Sequence, residues 1–246
     1  MTRFDAQVIL NAASFFGPGC TRDPHLWFVT LEATMKVLVL SGENHRFNLS
    51  APIIAEFLSS DSDLYVETTD DKDALKSLDG NDAVVFGTGF TRTERKDDGT
   101  VERFDDLTSD QEAGLFAFVE AGGGLVGIHG TAWWIPSRTV PLIGGHANWH
   151  PPGLTFNVEI DDESHPITDG VGTFEVDDEI YMSAWDPGIH VLASAEWAEK
   201  RHPLAWTQSF GKGRVFYTAL GHGPDTFERP AMQKLMTQGT RWAAAA

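Results

Sequence analysis

The sequence predicts an α/β protein built on a mixed, mostly parallel β-sheet that helices flank. Residues 35–42 are mostly apolar, as is typical of a strand buried on both faces of a parallel sheet. Helical and strand patterns alternate through the first half, and beyond Pro152 alternating strand patterns predominate. A length of 246 residues suits one large domain or two small ones, with a slight preference for one. We assign residues 35–246 to one domain and residues 1–34 to an N-terminal extension, expected to be loosely ordered or the product of an upstream start.

The sequence of the first half predicts short helices and strands joined by loops. Between the opening strand and residue 88 we expect a helix over 49–58 that Asn48 caps, a strand over 64–68, a short helix over 70–78 and a strand over 82–87. The polar run 88–106 predicts a long loop. A helix then begins with two overlapping capping boxes, Thr108 with Gln111 and Ser109 with Glu112.

A glycine run at 122–124 ends this helix, because glycine takes the left-handed conformation without steric cost. A short apolar strand follows and leads into the turn Gly-Ile-His-Gly, which ends at Gly130. Such turns hold a functional side chain at the carboxyl edge of an α/β sheet, usually a Ser or Cys nucleophile. Here the position belongs to His129.

The second half predicts mainly strands. A helix begins near residue 133 but is shortened by Pro136 and Pro141. The remaining expected elements are strands over 154–160, 174–182, 191–195, 203–210 and 213–220, a hairpin turn over 211–213 and a final helix over 229–242.

The composition excludes several classes of partner. Asp and Glu number 36 against 18 Lys and Arg, and the net charge of −18 repels nucleic acid and anionic membranes. No apolar run approaches the ~20 residues of a membrane helix. The single cysteine, Cys20, forms no internal disulfide, which fits a reducing compartment and favours the cytoplasm. We therefore expect a small-molecule substrate and allow for a homo-oligomer.

Histidines gather where strands end or glycine-rich loops begin, at the edge where α/β sheets assemble their sites. They are His45, His129, His146, His150 and His222, and Glu179 lies between two predicted strand segments. Imidazoles and a carboxylate without a thiol suit Zn²⁺ first, with Mn²⁺ or Fe²⁺ as alternatives. The expected metal ligands are His129, His146, His150, Glu179 and His222. The residues at 146 and 150 have helical spacing, but glycines before them and prolines after them favour a loop. Acid–base chemistry without a metal remains open.

Aromatic residues accompany these histidines. Trp149, between two histidines, is the best candidate for stacking on a sugar ring, and Trp133 and His45 are further candidates for substrate contacts. The glycine run at 122–124 follows a helix and does not match Gly-x-Gly-x-x-Gly, and there is no Walker loop, so no nucleotide cofactor is expected.

From Met35 to Ala243 the chain resembles the ThuA-like family, named for trehalose utilisation. The segments that carry the resemblance are Val-Leu-Val-Leu-Ser-Gly-Glu-Asn-His, Gly-Gly-Gly-Leu-Val-Gly-Ile-His-Gly, Ile-Gly-Gly-His-Ala-Asn-Trp-His-Pro, Ser-His-Pro-Ile-Thr-Asp-Gly, Asp-Asp-Glu-Ile-Tyr and Gly-Lys-Gly-Arg-Val-Phe-Tyr-Thr-Ala-Leu-Gly-His. The resemblance implies a flavodoxin-like fold, similar to class I glutamine amidotransferases, with additional strands in the C-terminal half. It also implies a role in sugar catabolism. Relatives of that fold carry a nucleophilic Cys at the turn, so His129 argues against glutaminase chemistry.

These observations predict a sugar-catabolic enzyme, a hydrolase, lyase or isomerase, with His129, Glu179 and His222 as its catalytic residues. It would act on a disaccharide or keto-sugar by metal- or acid–base-assisted hydrolysis, elimination or isomerisation. The alternative is a non-catalytic sugar-binding or regulatory module on the same fold. In a third reading the protein is structural, and its histidines only pack and form hydrogen bonds.

Overall fold

The computed structural model describes residues 34–246, so the predicted extension, apart from Thr34, lies outside the described residues. The strands are β1 Met35–Leu40, β2 Leu64–Thr69, β3 Ala83–Phe86, β4 Thr91–Arg95, β5 Val101–Asp105, β6 Gly124–Ile128, β7 Gly145–Trp149, β8 Leu154–Ile160, β9 Phe174–Asp178, β10 Met182–Trp185, β11 His190–Trp197, β12 Lys200–Phe210 and β13 Gly213–Thr218. The helices are α1 Phe47–Ser59, α2 Ser109–Ala121, α3 Val140–Ile143 and α4 Pro230–Ala244.

Within this part of the chain, nine strands form one mixed sheet in the order β2-β1-β3-β6-β13-β12-β11-β8-β9. The first five strands in this order, β2, β1, β3, β6 and β13, are parallel to one another. The remaining pairs, β13 with β12, β12 with β11, β11 with β8 and β8 with β9, are antiparallel. The predicted mixed α/β sheet, with its extra strands in the C-terminal half, is therefore confirmed, but it is not mostly parallel, because four of its eight pairings are parallel and four are antiparallel. Because β1, β3, β6 and β13 are parallel, the loops that follow them emerge at one edge of the sheet.

The core lies between this sheet and its helices. Every residue of β3 and β6 is buried, as their uniformly apolar sequences predict. Helix α4 packs against β6 and β13, and it approaches so closely that a Cβ on Gly124 would lie 2.5 Å from the main chain of Ala243. Glycine at the start of β6 is thus a packing requirement.

The predicted loop over 88–106 is wrong, because β4 and β5 form an antiparallel hairpin there. Its side chains are almost all polar and exposed, so neither strand shows the apolar alternation of a half-buried strand. The Asp98-Gly99 pair in the turn, with Gly99 at φ +84°, is the local signal that supports a hairpin.

Four expectations about helices are also corrected. Helix α1 begins at Phe47, so Asn48 is not its N-cap, and Arg46 precedes it at φ +57° without a capping hydrogen bond. Thr108 forms the predicted capping box with Gln111. The second box is absent because Ser109 is already helical, and Glu112 instead pairs with Arg138. The helices expected over 70–78 and 133–142 shrink to a 3-10 turn, Lys72–Lys76, and to α3.

Two segments of the second half differ from expectation. The strand predicted over 174–182 is two strands, β9 and β10, because the chain leaves the sheet at Glu179 and enters a separate pair with β7. The loop expected around His146 and His150 contains β7, because Gly144 and Pro151 lie outside the strand, which pairs with β10 with one irregularity between Met182 and Ser183.

Candidate active site

Three histidines meet at the carboxyl edge of the parallel strands. His45 follows β1, His129 follows β6 and His222 follows β13. Their ring centroids lie 4.7 Å apart for His45 and His129, 5.3 Å for His129 and His222, and 5.8 Å for His45 and His222. One nitrogen from each ring lies within 4.8 Å of the other two. We call these three residues the imidazole cluster.

His129 is fixed at both ring nitrogens. Its Nδ1 lies 2.6 Å from the carbonyl oxygen of Ala219, which can only accept, so Nδ1 carries the proton. The Oη of Tyr181 donates to Nε2 over 2.7 Å. The residue is buried with φ +41°, and Tyr217 donates to its main-chain carbonyl over 2.9 Å. These contacts direct the Nε2 lone pair of His129 towards the cluster.

Glu179 lies at the centre of the histidines. Its carboxylate oxygens are 3.2 Å from Nδ1 of His222, 3.4 Å from Nε2 of His129 and 3.5 Å from Nε2 of His150. Desolvation opposes ionisation of this buried group, but contacts with His129 and His222 outweigh it and hold the pKa of the carboxyl well below its usual range. Glu179 is therefore ionised at neutral pH, and its hydrogen bond raises the pKa of His222.

Nε2 of His129 also faces the carboxylate of Glu179. With its proton on Nδ1, His129 turns the lone pair of Nε2 towards a carboxylate oxygen 3.4 Å away. A cation between these two electron-rich atoms would be attracted to both of them. The geometry thus suits a metal ion held between His129 and Glu179.

His45 is neutral at physiological pH. Desolvation, and then the neighbouring His129 and His222, lower its pKa to about 3. Its Nδ1 lies 3.4 Å from Oη of Tyr181, and the residue occupies the left-handed region at φ +50°. A neutral imidazole keeps a lone pair available for a ligand.

Asp178 holds the loop that carries His222. Its buried carboxylate accepts from the main-chain N–H of Gly221 over 2.8 Å, from that of His222 over 3.3 Å and from the hydroxyl of Thr226 over 2.6 Å. The side chain therefore positions His222, and it does not face the cluster itself.

The site has an aromatic wall and an adjoining cleft. Trp133 packs 5.3 Å from both His150 and Tyr181 and 6.5 Å from His45, measured between ring centroids. A cleft of about 350 Å³ opens beside Glu179 and His222. The cluster is thus connected to a space where a ligand can bind.

The structure brings together most of the residues singled out from the sequence: His45, His129, Trp133, His150, Glu179 and His222. It does not bring His146 or Trp149 to the cluster. Within residues 34–246, no hydrogen bond, ion pair or ring contact joins His146, in β7, to the other histidines. Trp149 is 52 % exposed and packs against Trp197.

Sequence reasoning missed Tyr181. It lies in the Asp-Asp-Glu-Ile-Tyr segment, where the three carboxylates drew attention as metal ligands, as a base or as groups that orient a histidine, which is what Asp178 does for His222. The signal available was the phenol two residues beyond Glu179, because a buried hydroxyl needs a partner.

Comparisons with known proteins place the chain in a family. The family model described as "ThuA: Trehalose utilisation" matches residues 36–243. The chain belongs to the ThuA family. No curated protein matches it.

Solved ThuA-like structures share its fold. A putative ThuA-like protein from Parabacteroides merdae superimposes with a TM-score of 0.68 at 18 % identity, covering 86 % of this chain and 90 % of that one. Another from Bacteroides uniformis gives 0.66 at 20 % identity, with coverages of 86 % and 92 %. A β-galactosidase from Rahnella sp. R3 gives 0.59 at 14 % identity and covers 83 % of this chain but 30 % of its own length. At these identities the likeness concerns the fold alone.

Among the described residues, no helix is long and apolar enough to cross a membrane.

Proposed function

We propose that this ThuA-family protein is a carbohydrate-processing enzyme whose reaction centre is the imidazole cluster with Glu179. It acts on a disaccharide or keto-sugar by hydrolysis, elimination or isomerisation. The observation that carries the proposal is the convergence of three imidazoles and an ionised carboxylate beside an open cleft. Simple sugar binding does not need so many titratable groups in contact, which argues against the non-catalytic alternative.

The donor set suits a divalent metal, with zinc first and manganese or iron as alternatives. His45, His129 and His222 supply the nitrogens, and Glu179 supplies a carboxylate oxygen. The Nδ1–H bond of His129 to a main-chain carbonyl is the support that metal-bound histidines usually have. His150 reaches the same carboxylate, and His146 no longer belongs to the proposed ligand set. Such a cation would polarise a carbonyl or acidify a bound water.

As the alternative to a metal-assisted reaction, the same residues form an acid–base set that supplies the proton transfers. Glu179 is ionised and is the base that removes a proton from carbon beside a keto group, or from water. His222, half exposed and hydrogen-bonded to Glu179, faces the cleft and returns a proton to the leaving or carbonyl oxygen. His129 and Trp133 hold the reacting end of the sugar against these groups.

Further features belong to the same proposal. The parallel order β2-β1-β3-β6-β13 supports a flavodoxin-like core. A cytoplasmic location fits the single cysteine and a similar Salmonella typhimurium LT2 structure described as a cytoplasmic protein. We propose a small sugar as the partner, with no nucleic acid and no membrane, and self-association into a homo-oligomer is compatible with the fold.

The first test is the metal content of tag-free protein by elemental mass spectrometry. We expect near-stoichiometric zinc, manganese or iron in the wild type, and its loss in His129→Ala and His222→Ala. His202→Ala is the matched control, because the ring of His202 contacts Trp197 and, among the described residues, none of the cluster. Retention of metal in both cluster variants would refute these ligands.

Turnover of 3-keto-disaccharides is the second readout. Folded Glu179→Gln should lose turnover, because an amide cannot accept the proton. Full activity in that variant would exclude the proposed base. Saturable sugar binding by a wild type that turns over no sugar would instead support the non-catalytic module.

A further inference from the structure

The cleft beside the cluster has the size and position of a substrate site. Its volume of about 350 Å³ falls in the range of roughly 300–1,000 Å³ found for small-molecule pockets. Glu179 and His222 form part of its lining, and Thr155 at the start of β8, Asp177 at the end of β9 and Asp225 after β13 contribute further polar side chains. A ligand seated there touches two of the proposed reacting groups.

Arg46 lines the same cleft in an unusual state. It follows His45, and both occupy the left-handed region, at φ +57° and +50°. Among the described residues no carboxylate lies within ion-pairing distance of its guanidinium, although the protein has twice as many acidic as basic residues. Consecutive non-glycine residues in this conformation are strained, and such strain is typically kept where a side chain must point at a ligand.

The acidic side chains of the cleft keep their hydrogen-bonding capacity. Asp177 accepts a hydrogen bond from Thr155, lies 4.0 Å from Arg229 and remains 70 % exposed. Asp225 is exposed at the opening. Carboxylates accept two hydrogen bonds per oxygen, and a guanidinium donates up to five, so the three groups together match adjacent hydroxyls of a sugar ring.

The balance of charge selects among sugars. Four acidic residues, Asp177, Asp178, Glu179 and Asp225, line the cleft against two basic ones, Arg46 and His222, and the exposed Asp177 and Asp225 lie outside the proposed metal-ligand set. This excess of negative charge repels a phosphate or a uronic acid carboxylate. A neutral sugar, which can donate hydroxyl protons to the carboxylates, is not repelled.

We propose that this cleft is the subsite for one ring of an uncharged disaccharide, that Asp177, Asp225 and Arg46 bind its hydroxyls, and that the cleft rejects sugar phosphates. The inference rests on the proposed function and assigns its specificity to residues outside the imidazole cluster.

The test is calorimetric titration of the full chain with trehalose and with trehalose 6-phosphate, which differ only by the phosphate. We expect the wild type to bind trehalose at least tenfold more tightly. Asp225→Asn and Asp177→Asn should each weaken trehalose binding roughly tenfold, because each loses a charge-assisted hydrogen bond, and should narrow the difference between the two ligands. Arg46→Gln should weaken trehalose binding similarly. Asp169→Asn makes the same charge change outside the cleft and should match the wild type.

The outcomes separate the two proposals, because binding is measured without turnover. If the protein binds trehalose with this pattern but turns over no sugar, the subsite proposal stands and the proposed enzymatic function is refuted. An active enzyme that binds the phosphate as tightly as trehalose refutes the subsite. So does a wild type that binds no trehalose, or a folded Asp225→Asn that binds it as well as Asp169→Asn does.

Discussion

Tyr181 competes for the nitrogen that a metal would need. Its buried hydroxyl donates to Nε2 of His129, the atom that faces the cluster. Burial raises the pKa of Tyr181 well above its usual value, so the phenol keeps its proton and its role as donor. Occupation of the site by a cation therefore requires this hydrogen bond to break.

We expect Tyr181→Phe to bind zinc about two- to tenfold more tightly, since no hydrogen bond of roughly 0.5–1.5 kcal/mol has to be broken first. Competition with a chromophoric chelator measures the affinity. Tyr217→Phe is the control, because that hydroxyl bonds to the main-chain carbonyl of His129 and should not tighten binding. Weaker binding by Tyr181→Phe would instead make the phenol a support or ligand of the metal.

Single residues of the site could be predicted only where local sequence revealed their place. His129 follows a glycine-flanked turn, and His45 and His222 follow apolar strands, so all three were assigned to the sheet edge from sequence. His146 has the same residue type and a glycine-rich context, but β7 belongs to a separate pair of strands. Which strand pairs with which is a long-range property that the local pattern does not contain.

At the scale of elements, the strands of the nine-stranded sheet were predictable, and those of the two separate pairs, β4 with β5 and β7 with β10, were not. Strand β8 was predicted with its observed bounds, because its residues alternate over one half-buried face. Strands β4 and β5 escaped notice, because polar residues cover both faces of their hairpin. The break between β9 and β10 was also hidden, because the apolar pattern continues across Ile180 and Tyr181 while the main chain changes partner.

The close packing of α4 on β6 gives a prediction about stability. Gly124→Ala should lower the free energy of unfolding by about 1–3 kcal/mol, because the new Cβ would meet the main chain of Ala243 at 2.5 Å. Denaturant unfolding measures the change. Gly172→Ala is the matched control, because a Cβ there meets nothing within 4 Å and the φ of Gly172 lies outside the left-handed region. Equal stability of the two variants would show that α4 can shift to accommodate the new Cβ at little cost in free energy.

At the scale of the whole molecule, net charge governs the response to salt. A net charge of −18 destabilises the compact state through self-repulsion, and salt screens this repulsion over about 10 Å at 0.1 M. The melting temperature should therefore rise between 0.02 and roughly 0.3 M salt, equally in NaCl and KCl if screening is the cause. A fall would mean that exposed ion pairs, such as those of Arg201 and Arg241, outweigh the repulsion.

The imidazole cluster joins segments that are distant along the chain. The bond from His129 reaches Ala219, 90 residues later, and Tyr181 approaches His45 across 136 residues. No fragment that begins after His45 or ends before His222 can therefore contain all three histidines. A ligand that bridges these segments would slow amide hydrogen exchange in both strands together, although they lie near opposite ends of the domain sequence. Ligand binding at the imidazole cluster would thus be detected as slower amide exchange in several strands of the central sheet at once.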